Sequence, residues 1–196
     1  MIAAVLLAAG ESRRMGRPKL TLPWGNGGSM ISQVVSRFRE AGADPLLVVT
    51  GGDREEVERA LQRAGAQCLL NPTYRQGGML SSIKVGLRRL QDGDAEAAMV
   101  APADLPSLSV ATLRSLLDHR RRSGADLIVP SYEMRRGHPV LIGRDLWQEV
   151  LDLPDGETLR DFLRRRPGSI DCVVVEDAGV IQDIDTPEDY ERGAPC

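Results

Sequence analysis

Cysteine is scarce in this chain of 196 residues: Cys68, Cys172 and Cys196 are odd in number, far apart and without Cys-x-x-Cys spacing. A disulfide framework and a cysteine-based zinc site are therefore not expected. Basic charge is not in excess either, with 25 Lys and Arg against 28 Asp and Glu and a net charge of −3. That balance argues against a general nucleic-acid binder, which carries a strong positive surplus. Long apolar runs are missing, and none approaches the roughly 18 residues needed to span a bilayer. The opening run Met1–Ala9 is short, has no basic leader and stops at Gly10-Glu11, so a signal peptide is not expected. Neither a membrane partner nor a nucleic acid is anticipated, and a cytoplasmic location is. Linkers and low-complexity tracts are absent as well. What remains is 42% hydrophobic and 27% charged, an ordinary globular composition that fits one domain over residues 1–196.

Short apolar runs alternate with amphipathic stretches. Ile2–Leu7, Pro45–Thr50, Gln67–Leu70, Ala97–Ala101 and Asp126–Pro130 read as buried strands bounded by Gly, Pro or Asp. Between them, Ile31, Val34, Val35 and Phe38 recur at helical spacing within Met30–Ala41. Val57, Leu61 and Ala64, then Ile83, Leu87 and Leu90, then Leu113, Leu116 and Leu117 make further stripes. Gly42, Gly65 and Gly124 sit where helices close before strands. The alternation predicts an α/β fold, a mostly parallel sheet with helices on both faces. In the last third, Pro139–Ile142, Ile170–Val175 and Val180–Ile184 read as strands, with helices near Arg144–Leu151 and Thr158–Arg166. A final helix opens at Thr186-Pro187, where Thr186 can cap and Pro187 fits the first turn.

Ligands in such sheets bind beyond the carboxyl ends of the strands, which directs attention to the first loop. It runs Leu7-Ala8-Ala9-Gly10-Glu11-Ser12-Arg13-Arg14-Met15-Gly16-Arg17-Pro18-Lys19. It is too poor in glycine for a dinucleotide fingerprint and lacks the Gly-Lys-Ser/Thr order of a Walker A loop. Small residues that admit a ligand close to the backbone, followed by Arg13, Arg14, Arg17 and Lys19, suit a nucleoside triphosphate. Asp104 follows a strand and lies between Pro102 and Pro106. It could cap the helix near Ser109, or it could hold Mg²⁺, which takes one or two carboxylates together with phosphate oxygens. A second carboxylate would come from Asp183 or Asp185, which share a face if their segment is extended. Gly78 to Ser82 gathers amides and hydroxyls suited to one edge of a base, though Ser81 or Ser82 could equally cap a helix. Ser82 and Gly86 share a helix face, and Gly86 would admit a close neighbour there. His138, in Gly137-His138-Pro139, is a loop histidine that is either inert or part of a second substrate's site. His119 and the arginines around it end a helix and read as a solvated face, while Trp24 and Trp147 read as packing residues.

The first loop resembles the signature Leu-Ala-Ala-Gly-x-Ser-x-Arg-Met-Gly-x-x-Lys of nucleotidyltransferases with a Rossmann-like fold. The resemblance extends over nearly the whole chain. It includes Leu22-Pro23-Trp24, Asn71 to Ser82, Pro102-Ala103-Asp104-Leu105-Pro106, Gly137-His138-Pro139-Val140 and Asp183 to Asp189. Within that group the chain is similar to the molybdenum cofactor cytidylyltransferases. The resemblance implies a single Rossmann-like domain of the nucleotide-diphospho-sugar-transferase type, with CTP and molybdenum-bearing molybdopterin as substrates and Mg²⁺ as cofactor. It implies Lys19, Arg13 and Asp104 as catalytic residues. Leu7, Ala8, Ala9, Gly10, Ser12, Arg14, Met15, Gly16, Asn71, Gly78 and Ser82 would bind the nucleotide, His138 the pterin substrate, and Asp104 with Asp185 the metal. Ala8-Ala9 in place of a glycine pair points, by the family pattern, to CTP over GTP. The product could pass transiently to a molybdoenzyme or its chaperone. Two other readings stay open. One is a related transferase acting on a sugar phosphate or alcohol phosphate, and the other is a protein that binds CTP and molybdopterin and delivers the cofactor without turnover.

Overall fold

A computed structural model describes residues 1–12, 15–25 and 28–194. The chain begins with β1 (Ile2–Ala8), a small ribbon of β2 (Pro23–Trp24) and β3 (Gly28–Ser29), and α1 (Met30–Ala41). It continues through β4 (Leu46–Thr50), α2 (Arg54–Leu61), β5 (Gln67–Leu70), α3 (Tyr74–Gln91), β6 (Ala97–Pro102) and α4 (Val110–Ser123). Then come β7 (Leu127–Tyr132), β8 (Arg135–Arg136), β9 (Val140–Gly143), α5 (Trp147–Leu151), α6 (Leu159–Arg164), β10 (Asp171–Val174) and α7 (Pro187–Gly193).

The main sheet has the order β10-β7-β9-β6-β1-β4-β5, with β8 folded back on β7. Strands β6, β1, β4 and β5 are parallel in sequence across the sheet, and β10 is parallel to β7. Only β9, wedged between β6 and β7, and the short β8 run the other way. The central strands are apolar on both faces because helices cover both faces. On one side Leu6, Val48 and Met99 pack beneath Phe38 of α1, Leu61 of α2 and Leu116 of α4. On the other, Val5, Val49 and Val100 pack beneath Leu87 of α3, Trp147 of α5 and Phe162 of α6. Both tryptophans are packing residues, as expected: Trp24 meets Tyr190 edge-on, and Trp147 donates its indole N–H to the Ile142 carbonyl at 3.0 Å. Among the described residues no helix is long and apolar enough to cross a membrane.

Local chemistry sets the element ends. Ser29 and Ser32 form a capping box that starts α1, and Gly42 ends it in the left-handed region. Gly124 does the same for α4, but Gly65 lies beyond the end of α2 and closes a following turn instead. Thr186 caps α7 with Pro187 in its first turn. His119 is not merely solvated, for its Nε2 lies 2.7 Å from Asp171 Oδ2 on β10.

One expected strand does not form. Residues 180–184 make isolated bonds to two loops rather than a ladder: Val180 accepts from the His138 N–H, and Ile184 donates to the Asp104 carbonyl. Asp177 organises the approach to this strap. Its carboxylate accepts from the N–H of Ser109 at 2.9 Å, the hydroxyl of Thr112 at 2.7 Å and the N–H of Gly179 at 2.9 Å. Burial pushes this carboxyl up, but the donors from Ser109, Thr112 and Gly179 prevail and hold it below the ordinary value. A carboxylate depressed in the folded state stabilises fully above its unfolded pKa of about 4 and loses that stabilisation as the pH falls through its folded value. Asp177→Ala is expected to lower unfolding free energy by about 1–3 kcal/mol at neutral pH. Urea denaturation across a pH series should show the gap to the parent narrowing below about pH 4.

Candidate active site

Three charged side chains meet beyond the carboxyl ends of β1 and β6. Lys19 Nζ donates to Asp104 Oδ2 at 2.6 Å, to Asp185 Oδ1 at 2.7 Å and to the Ile184 carbonyl at 2.8 Å. An ammonium has three N–H donors, so all of them are committed. The side chains are 13% exposed for Lys19, 16% for Asp104 and 28% for Asp185. Burial pushes the Lys19 ammonium down, but the carboxylates of Asp104 and Asp185 hold it above the ordinary lysine value. Burial pushes Asp104 up against the pull of Lys19, and the charge of Asp183 adds to the rise. The second oxygen of Asp104, Oδ1, is buried without a hydrogen-bond partner. Capping does not explain either acid. Ser109 caps α4 with its own hydroxyl, and Thr186 caps α7.

The loop after β1 is pinned from within. Ser12, at φ 46°, accepts from the Lys19 backbone N–H at 3.0 Å and donates to Asp53 at 3.2 Å. Glu11 accepts from the Tyr74 hydroxyl at 2.7 Å and pairs with Arg75. The loop therefore rests against the start of α3. That helix is interrupted at Gly78, whose φ of 56° and ψ of −159° suit only a glycine. Behind the interruption, buried Asn71 donates to Ser81 Oγ at 2.7 Å and to Ser82 Oγ at 2.9 Å, and its carbonyl oxygen holds Thr73. Neither serine caps the helical segment that resumes after Gly78: Ser81 donates to the Gly78 carbonyl at 2.8 Å, and both hydroxyls accept from Asn71. Gly86, on the face shared with Ser82, lies where an added Cβ would come 2.3 Å from Val5, so the close approach expected there is present.

Two cavities adjoin this framework. The smaller, of about 460 Å³, is lined by Ala8, Ala9, Gly10, Lys19, Ser82 and Asp104, among others. The larger, of about 1020 Å³, contains His138 in its wall and shares Leu7, Gly78 and Met79 with the first. Burial pushes the His138 imidazole below its ordinary value, although Asp104 and Asp183 oppose the shift. Its Nδ1 is buried without a hydrogen-bond partner.

The profile of the MobA-like NTP transferase domain family matches residues 4–170. The chain belongs to that family. It is 30% identical over 190 residues to the molybdenum cofactor cytidylyltransferase of Escherichia coli, covering 96% of this chain and 93% of that one. It is also 30% identical to a protein named nicotine blue oxidoreductase from Paenarthrobacter nicotinovorans, over 97% of this chain and 95% of the relative. Rv0371c from Mycobacterium tuberculosis has the same fold, with a TM-score of 0.83 at 27% identity over 97% of this chain and 95% of that one. Another structure of Rv0371c is a complex with manganese (TM-score 0.80, 26% identity, 97% and 96% coverage).

In this MobA-like chain, Leu7, Ala8, Ala9, Gly10, Ser12, Lys19, Gly78, Ser82 and Asp104 come together around the smaller cavity. Met15 is instead buried in the core, Gly16 supplies a left-handed turn, and Asn71 sits behind the wall it braces. Lys19, expected against a triphosphate, is bound to both acids expected to hold the metal. Arg13 and Arg14 lie outside the described residues. The contacts of Glu11, Tyr74, Arg75 and Asp53 had no sequence signal, since they join separate loops through side chains common on any surface.

Proposed function

We propose that this nucleotidyltransferase moves CMP from CTP to the phosphate of molybdenum-bearing molybdopterin and releases pyrophosphate. The observation that carries the reading is a lysine bound to two carboxylates at a place where two cavities adjoin. One cavity is walled by the signature loop, and the other is about twice its size. An in-line transfer needs that arrangement, with donor and acceptor approaching one phosphorus from opposite sides. An oxygen of the acceptor phosphate forms the new bond to the α-phosphorus, and the bond to the bridging oxygen breaks as pyrophosphate leaves. No protein nucleophile is required.

Ala8, Ala9 and Gly10 bring backbone close to the nucleotide, while Gly78 and Ser82 offer polar groups to one edge of the base. Lys19, with Arg13 and Arg14 from the loop, neutralises phosphate charge. For Lys19 to touch a phosphate, its ammonium must release at least one of its three acceptors. His138, uncharged at neutral pH through burial, lines the acceptor side. The unpartnered Asp104 Oδ1 fits a hard divalent cation, and Asp104 with Asp185 would hold it. Among the described residues no group of three or more such ligands is gathered, so substrate oxygens would complete the set. Bound Mg²⁺ would supply charge stabilisation on the phosphates as pyrophosphate departs.

Pyrophosphate release measured with CTP and molybdenum-bearing molybdopterin tests the reading, with GTP and with a sugar phosphate as comparison arms. Release only with the sugar phosphate, or tight CTP binding with no release, would replace it. Base selection has its own test. If the Ala9 methyl narrows the cavity against a purine, Ala9→Gly should reduce the CTP-over-GTP ratio of kcat/KM by about tenfold. An unchanged ratio in direct competition would move selection to Gly78–Ser82.

A further inference from the structure

The larger cavity has a charge imbalance that the transfer step does not use. Arg135, Arg136 and Arg160 line it, and among the described residues none of their three side chains has a hydrogen-bond or ion-pair partner. The other basic residue in the wall, Arg164, is paired with Asp161, and the one acidic residue there, Glu157, is paired with Arg165. Three cations are thus left uncompensated beside an apolar floor that includes Ile83, Val129, Val140 and Leu163.

Two of these arginines are held firmly. They form β8, with Arg136 opposite Ser131 and Arg135 opposite Tyr132. The connecting residues Glu133 and Met134 both have positive φ, at 46° and 64°. Two left-handed residues in a two-residue connection match the twist of the flanking strands and make a tight hairpin. Neither residue is a glycine, so the conformation is unfavourable in isolation and is imposed by its surroundings. Gly137, next in the chain, donates to the Pro130 carbonyl at 2.9 Å, and His138 donates to Val180 at 2.8 Å. Two residues, roughly 7 Å of extended chain, separate Arg136 from His138. The third arginine comes from a different element, α6.

We infer that Arg135, Arg136 and Arg160 form a subsite for a second anionic group of the acceptor, away from the phosphate that reacts. This rests on the transfer reading above. In molybdopterin the group is the dithiolene end that carries the metal, and the apolar floor takes the flat ring system between the two charged ends. Guanidinium groups suit such an anion because they keep their charge and present several directed donors. A sugar phosphate, with one anionic end and a polar body, would leave both the floor and the arginines unused.

The test compares the parent enzyme with an Arg135→Ala/Arg136→Ala/Arg160→Ala variant on two acceptors. One is molybdenum-bearing molybdopterin, whose dithiolene end is anionic, and the other is molybdopterin with both sulfurs alkylated to neutral thioethers. The variant should raise KM for the anionic acceptor about tenfold or more, with kcat and the KM for CTP near parent values. Alkylation should impose a similar loss on the parent and little further loss on the variant. An unmoved KM, or a variant that still discriminates between the acceptors, overturns the subsite. If the parent transfers CMP to neither acceptor, the transfer reading falls, and a different measurement decides the subsite. Phenylglyoxal modification mapped by peptide mass should then be slowed by sulfate at all three arginines, and absence of protection overturns the inference.

Discussion

Lys19→Ala is expected to abolish measurable CMP transfer and to lower the melting temperature too. A surface lysine that only reaches for phosphate would affect the first quantity alone. Here the ammonium is bonded to Asp104, Asp185 and the Ile184 carbonyl, so its removal leaves two carboxylates facing each other. Breaking a buried ion pair from one side costs about 3–5 kcal/mol. The loss here should be smaller, about 2 kcal/mol, because Asp185 is partly in solvent and Asp104 can take up a proton. Differential scanning fluorimetry at pH 7 and pH 5 separates these contributions. The deficit should shrink at the lower pH, because burial and the charge of Asp183 raise the Asp104 carboxyl and the loss of Lys19 removes the pull that opposes them. Adding Asp104→Asn to Lys19→Ala should recover stability without recovering activity. Mn²⁺ titrated without nucleotide should raise the variant's melting temperature more than the parent's, since no ammonium then competes for the carboxylates. A fully active Lys19→Ala enzyme would remove the lysine from the mechanism.

Asp104→Asn is the second variant with a large expected effect, and its signature is different. The amide keeps the size of the side chain and can still accept from Lys19, so the fold should be nearly unaffected. What disappears is one of the negative charges that would hold a hard cation, at the residue whose Oδ1 has no protein partner. Turnover is expected to fall by about 10²–10³, the usual scale for losing one electrostatic element at a reacting centre. Raising Mg²⁺ or supplying Mn²⁺ should restore part of it. Asp185→Asn should behave alike, and the double variant should lose less than the two losses combined because the residues act together. Asp183→Asn should be milder: Asp183 is exposed and influences Asp104 only through its charge. Full activity in Asp104→Asn, or activity lost only through unfolding, would return Asp104 to a structural role.

Elements whose burial is periodic were legible in the sequence. The stripe Ile31, Val34, Val35 and Phe38 gave the bounds of α1 correctly, because a capping serine and a left-handed glycine mark its two ends. Val180–Ile184 misled, since an apolar run reads the same whether it joins a ladder or is tied down by single bonds to His138 and Asp104. For the site, residue types in the motifs pointed to Lys19, Asp104 and Asp185, but not to their mutual bonding. That bonding depends on where three loops meet, and no local pattern encodes it. Ser12 and Asn71 show the opposite limit. The resemblance assigned both to the nucleotide, and the structure adds bonds that no motif encodes: Ser12 closes the loop onto Lys19 and Asp53, and Asn71 braces Ser81 and Ser82. Arginines without partners, such as Arg136, cannot be told from solvated ones until a cavity is seen beside them.

The lysine cluster also fixes when the reactive centre can exist. Lys19 meets Asp104 across 85 residues and Asp185 across 166. During synthesis, β1 and its loop emerge early, and β4 and β6 can pair with β1, and β5 with β4, long before the strap at Ile184 and Asp185 has left the ribosome. A nascent chain can therefore carry most of its sheet while Lys19 still lacks two of its three acceptors. Long-range closures of this kind come late because the intervening chain must be ordered first. The charged centre is thus completed only once Ile184 and Asp185 have been translated. Nicking of the polypeptide between β10 and α7 would silence catalysis while leaving the central strands paired.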